Sequence, residues 1–180
     1  MTREFSAWLD RPWTVGQAIV YGTLTVGVLD GLAAVITAGL RGTRPDRLFQ
    51  GIAFALLGRA SYSGGWRTVV LGVLLHFIVA LGIVAIYVVA SRLVPGLARR
   101  PLLLGPLYGI AAFIVMNLVV IPLSAIGTVI IRWPGAINGL VIHALLVGPP
   151  AAIAAAKVRA RAGTLEGRAV SRPASSPPRP

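Results

Sequence analysis

Four long apolar stretches, separated by short segments that carry the arginines, constrain this chain more than any other feature of it. They run from Thr14 to Leu40, Thr68 to Leu93, Leu102 to Ile126 and Gly135 to Lys157. Each exceeds the roughly 20 helical residues needed to cross a hydrocarbon core. Only 12% of the residues are charged and 56% are hydrophobic, whereas soluble domains carry about a quarter charged residues. The expectation is an all-α polytopic membrane protein with four transmembrane helices. The apolar run that follows MTREFSAWLDRPW is far longer than a signal-peptide core and has no small-residue cleavage site, so it is expected to stay as the first span.

A formal charge of +12 would suit nucleic acid only on a folded soluble surface, and none is expected, so nucleic acid is excluded as a partner. The cations fall between and after the apolar runs, where they set orientation. One side of a four-span topology holds Arg3, Arg11, Arg92, Arg99, Arg100, Lys157, Arg159, Arg161, Arg168, Arg172 and Arg179, eleven in all; the other holds Arg41, Arg44, Arg47, Arg59, Arg67 and Arg132, six in all. The excess predicts that both termini are cytoplasmic. Trp13, Trp66 and Trp133 flank span ends, as amphipathic rings at headgroup level do. The Pro-, Ser- and Arg-rich tail from residue 163 cannot bury apolar surface and is expected to be disordered.

Between the first two spans, PDRLFQGIAFALLGRASYSGG has Pro45 and Asp46 suited to a helix start and Gly64-Gly65 suited to a stop. A helix of about a dozen residues over 46–57 is too short to span a bilayer. It reads as an interfacial or re-entrant helix turning Leu48, Ile52 and Leu56 toward the bundle or acyl chains. Arg47 and Arg59 beside it are candidates for contact with an anionic headgroup or ligand; the other reading is that they decorate the surface.

Each span carries one polar residue at a similar depth. At about 1.5 Å per residue, Asp30 lies about 15 Å, His76 about 12 Å, Asn117 about 14 Å and His143 about 12 Å from the outer end of its own span. Small residues at helical spacing accompany them: Gly27, Gly31 and Ala34 around Asp30, Gly72 and Ala80 around His76, Gly139 before His143, and Gly109 and Ser124 on the stripe of Asn117. Membrane helices pack through such faces, so the polar layer is expected to turn inward. Pro122, Pro149 and Pro150 lack the N–H of the helix ladder and are expected to kink or unwind their spans.

Three readings of the layer follow. Polar residues glue membrane helices together by hydrogen bonds; a carboxylate with two imidazoles also exchanges protons or holds a small solute; and the same three groups could ligate a metal, though no HExxH-type spacing supports that, and no metal or cofactor is expected. Gly27 and Gly31 form a GxxxG pair, which serves either dimerisation or packing within one bundle. Four helices enclose little room, which points to a homo-oligomer within the lipid bilayer. With no cysteine, no GxSxG elbow and no phosphate loop, no catalytic residue is assigned and an enzyme is not the expectation.

The segments LDGLAA at Leu29 to Ala34, PDRLFQGIAFALLGRASYSGG at Pro45 to Gly65, LGVLLHF at Leu71 to Phe77, SRLVP at Ser91 to Pro95, GPLYG at Gly105 to Gly109 and MNLVVIPLSA at Met116 to Ala125 resemble a group of uncharacterised small bacterial integral membrane proteins, and more distantly the YagU-type inner-membrane proteins. The resemblance implies a four-helix bacterial membrane protein and carries no activity with it. The chain departs from YagU-type proteins in its first external loop, which is poorer in acids. The leading expectation is therefore a protein that binds or translocates a small solute or proton through the polar layer. The alternative is a non-catalytic membrane scaffold or accessory subunit whose polar layer only fixes packing.

Overall fold

The structure, a computed structural model, describes residues 12–127 and 133–158, and among these it contains helices and turns but no strand. Four helices are long and apolar enough to cross a membrane: α1 (Val15–Gly39), α3 (Gly65–Leu93), α4 (Pro101–Leu123) and α5 (Trp133–Val158). Between α1 and α3 lies the short α2 (Pro45–Leu57), followed by one 3-10 segment over Gly58–Tyr62. Helix ends fall within three residues of the apolar limits read from sequence. The tail from residue 163, Arg132 and the N-terminal Arg3 and Arg11 lie outside the described residues.

Local chemistry sets the ends. Thr14 accepts from the Gln17 backbone N–H at 3.1 Å while the Gln17 side chain accepts from the Thr14 N–H at 2.9 Å, a reciprocal box that starts α1. Pro45 opens α2 and Gly58 ends it with a φ of 58°, a left-handed angle that suits glycine.

The four long helices run up and down. The Trp13 N–H donates to the Lys157 carbonyl at 3.3 Å, bringing the start of α1 to the end of α5, and at the opposite end the Arg41 guanidinium comes beside Gly135. Arg92, Arg99, Arg100 and Lys157 therefore share one end of the bundle, and Arg41, Arg44, Arg47, Arg59 and Arg67 the other.

The dry core occupies the end nearer Lys157. It is built from Ala18, Val26, Ala80, Val84, Tyr87, Val88, Val147 and the alanines of α5, all nearly inaccessible. Small side chains let the helices approach closely: a Cβ at Gly22 would press on Val84 and Ala154. Tyr87 donates to the Leu97 carbonyl at 3.0 Å and Tyr108 to the Ile83 carbonyl at 2.7 Å, so both buried hydroxyls are satisfied. The exterior is apolar along its length. Leu24, Val28, Leu32 and Ile36 of α1, and Leu74, Ile78, Leu81 and Ile86 of α3, are exposed, an outward surface suited to lipid and far beyond what a soluble monomer shows.

In α4 and α5 the prolines do not simply kink the helix. A π-helical turn over Met116–Val120 precedes Pro122, and a second over His143–Val147 precedes Pro149-Pro150. A proline ring clashes with the carbonyl four residues back; widening the preceding turn by one residue moves that carbonyl aside and keeps the helix running. The Gly148 N–H accordingly donates to the His143 carbonyl, five residues back.

The short helix packs chiefly on α3, and its contact face differs from the sequence expectation. Gln50 and Ala53 are buried, and the Phe49 carbonyl lies against Gly72, where any Cβ would overlap it. Leu48 and Ile52 are only half-buried and Leu56 is exposed. The glycine at 72 lets backbone meet backbone, so the closest face of α2 is chosen by that approach and not by its largest apolar residues. Gln50 donates to the Gly65 carbonyl at 3.2 Å and to Thr68 Oγ1 at 3.4 Å, which pins α2 to the first turn of α3.

Candidate functional site

Asp30, midway along α1, is placed inward because Gly27 and Gly31, on the same face, pack against α3. A Cβ at Gly27 would collide with the Phe77 ring and one at Gly31 would crowd His76 Nε2. The GxxxG pair thus serves packing within the bundle in this structure. The close approach brings His76 Nε2 to 2.8 Å from the Gly27 carbonyl and His76 Nδ1 to 4.0 Å from Asp30 Oδ2. Both side chains are mostly buried, 12% and 20% exposed respectively.

A carbonyl only accepts, so His76 Nε2 carries a hydrogen and donates to Gly27. In a neutral ring Nδ1 then has a lone pair facing the carboxyl group. The 4.0 Å separation is longer than a direct hydrogen bond, so the two groups face each other without closing one.

Beside this pair the bundle opens into a cavity of about 170 Å³, lined by Asp30, His76 and His143 together with Val26, Val79 and Ile83, by Ala80 and Val147 from the dry core, by Met116 from α4 and by Ile52 from α2. A water needs about 10 to 15 Å³ by the same measure and two or more polar partners. The cavity has room for several, and the polar partners line it. His143 donates from Nδ1 to the Gly139 carbonyl one turn back in its own helix, at 2.9 Å, and its ring stands edge-on to Phe113.

Of the four residues placed in one layer from sequence, the structure brings three to this cavity. Asn117 stands apart: it donates to the Phe113 carbonyl of its own helix at 2.9 Å, and Met116 takes the α4 position on the cavity wall. The π turn begins at Met116, and a register counted at 3.6 residues per turn fails across it. Ile52, which the sequence turns toward the bundle or acyl chains, is carried by the approach of α2 to Gly72 onto the cavity wall, a placement beside the polar residues that sequence reasoning does not give. The signal available was Gly72 itself, a glycine inside an otherwise bulky apolar run.

The two arginines proposed as headgroup contacts have different surroundings. Arg47 donates to Gln50 Oε1 and to the Tyr62 carbonyl, both at 3.3 Å, with its guanidinium 5.7 Å from the Tyr62 ring centroid, and so clasps α2 to the segment after it. Arg59 is exposed on the 3-10 segment. Among the described residues no group of three His, Cys, Asp or Glu side chains is close enough to hold a metal ion.

The fold and its cavity define a four-helix bundle of membrane-spanning length with a partly open cavity, in which Asp30, His76 and His143 interrupt apolar walls. No protein-family profile, curated protein or solved structure matches the chain.

Proposed function

We propose that this chain is a multi-pass protein of the bacterial cytoplasmic membrane that binds a small solute or proton in the chamber between α1, α3, α4 and α5. The observation that carries this reading is that Asp30, His76 and His143, from three different helices, line one cavity of about 170 Å³. Ionisable groups at this depth are expensive in a bilayer, and their usual setting is a pathway or binding site. A cavity of this size with a carboxyl group and two imidazoles on its wall supports binding over simple packing.

A scaffold role draws on other residues. Asn117, Tyr87 and Tyr108 each spend a donor on a backbone carbonyl, which is what polar packing glue does. The two readings differ on whether water reaches the cavity. Because the natural chain has no cysteine, Val79→Cys on the cavity wall introduces a unique thiol at a half-buried position. Neutral methyl methanethiosulfonate is expected to modify it in the folded, detergent-solubilised protein, while Ala18→Cys, in the dry core at 0% exposure, is expected to resist. Equal resistance at both positions would favour the scaffold.

The orientation proposed here rests on the arginine distribution. Reporter fusions at Gly64 and after residue 158 should report opposite compartments to those expected of a reversed chain, namely external for the first and cytoplasmic for the second. A tail reporting an external location would invert the assignment.

A further inference from the structure

Both imidazoles at the cavity have one ring nitrogen committed to a backbone carbonyl. His76 uses Nε2 on Gly27, at 2.8 Å, and His143 uses Nδ1 on Gly139, at 2.9 Å. Each of those nitrogens therefore donates, and in each neutral ring the remaining nitrogen has a lone pair. For His76 that is Nδ1, facing Asp30 at 4.0 Å; for His143 it is Nε2, at the far end of the ring. Every other lining side chain is Val, Ile, Ala or Met and donates nothing. The chamber is a site of acceptors in apolar walls.

Such a site repels anions and offers nothing to a solute that has to accept a hydrogen bond. It suits a positively charged donor attached to a small apolar body. We propose that the chamber takes up a small protonated alkylamine, whose ammonium donates to the Asp30 carboxylate on its wall. This inference rests on the reading of the cavity as a binding site and adds the class of its ligand. The titratable groups facing the site are Asp30 from α1, His76 from α3 and His143 from α5; Ile52 from α2 and Met116 from α4 carry no charge. A cavity of about 150 Å³ admits benzene, so one of about 170 Å³ sets the ligand at roughly six to eight non-hydrogen atoms.

The test titrates the full chain in detergent micelles with cyclohexylamine, cyclohexanol and cyclohexanecarboxylate, three probes of similar body and different charge. Heats are corrected against protein-free micelles. Calorimetry reads the three affinities. The ammonium is expected to bind about tenfold or more tighter than the alcohol, with the carboxylate weakest. Asp30→Asn should keep the affinity for the alcohol and lose the preference for the amine. Alcohol binding as tightly as amine would overturn the ligand class and leave the binding site standing. If none of the three probes bound, the binding reading itself would fall.

Discussion

Gly109→Ala is expected to cost the bundle about 3 kcal/mol, the upper end for overpacking a close-packed interior. The crossing of α4 and α5 is a contact of backbones: a Cβ on Gly109 would overlap the His143 carbonyl, and one on Gly148 would overlap the Gly105 carbonyl. Neither obstacle is a flexible side chain that could swing aside. The only relief is to move two helices apart, which forfeits contacts along the whole seam. The same substitution at Gly82, where nothing lies within 4 Å of the added carbon, should stay within about 0.5 kcal/mol of the parent. Unfolding the two variants in mixed micelles with increasing dodecyl sulfate measures the difference. Equal stabilities would show that the α4–α5 crossing is looser than described. Because His143 stands at this crossing, a displaced α5 should also disturb the cavity.

The second large effect is electrostatic. In the Val79→Cys protein, Asp30→Asn should slow reaction with the cationic aminoethyl methanethiosulfonate about tenfold, which corresponds to about 1.4 kcal/mol, and leave the neutral methyl reagent unaffected. Asparagine keeps the shape and much of the hydrogen bonding of Asp30 but has no charge to attract an ammonium. The gross attraction of two unit charges at 4 Å is about 4 kcal/mol for an effective dielectric of 20, and desolvation removes a good part of it. Asp30→Leu should slow both reagents, because its side chain also fills the chamber. If neither reagent reached the thiol, while Asp30→Leu but not Asp30→Asn destabilised the fold, Asp30 would be packing glue.

The route from residues to site passed through two features that periodicity alone reads well and two that it reads badly. The inward faces of α1 and α3 were legible: Gly27 and Gly31 beside Asp30, and Gly72, Ala80, Tyr87 and Ser91 in line with His76, are the buried stripe of each helix. Regular α-helices preserve the 3.6-residue count on which such a reading depends. The stripe through Asn117 failed because the helix is not regular there. Pro122 is visible in the sequence, but no local pattern says whether its missing N–H is met by a kink or by the widened turn over Met116–Val120. Arg47 was read as a surface cation; its role as a clasp needed the Tyr62 carbonyl, fifteen residues away along the chain, to be brought beside it.

The sequence by itself determined the number, length and limits of the four long helices, the presence of a short fifth one, and the inward side of α1 and α3. These follow from local quantities: the length of apolar runs against bilayer thickness, the breakers between them, and the period of an α-helix. Tertiary structure alone decided that Asp30 meets His76, that His143 shares their cavity and Asn117 does not, and that Ile52 of α2 closes part of the wall. Those outcomes depend on where glycines allow one backbone to press on another, as at Gly31, Gly72 and Gly109, and on the π turns that rotate α4 and α5 past that point. Contact between residues 30 and 76 or 143 is a property of helix crossings, and no local pattern in the chain encodes the angle or depth at which two helices cross.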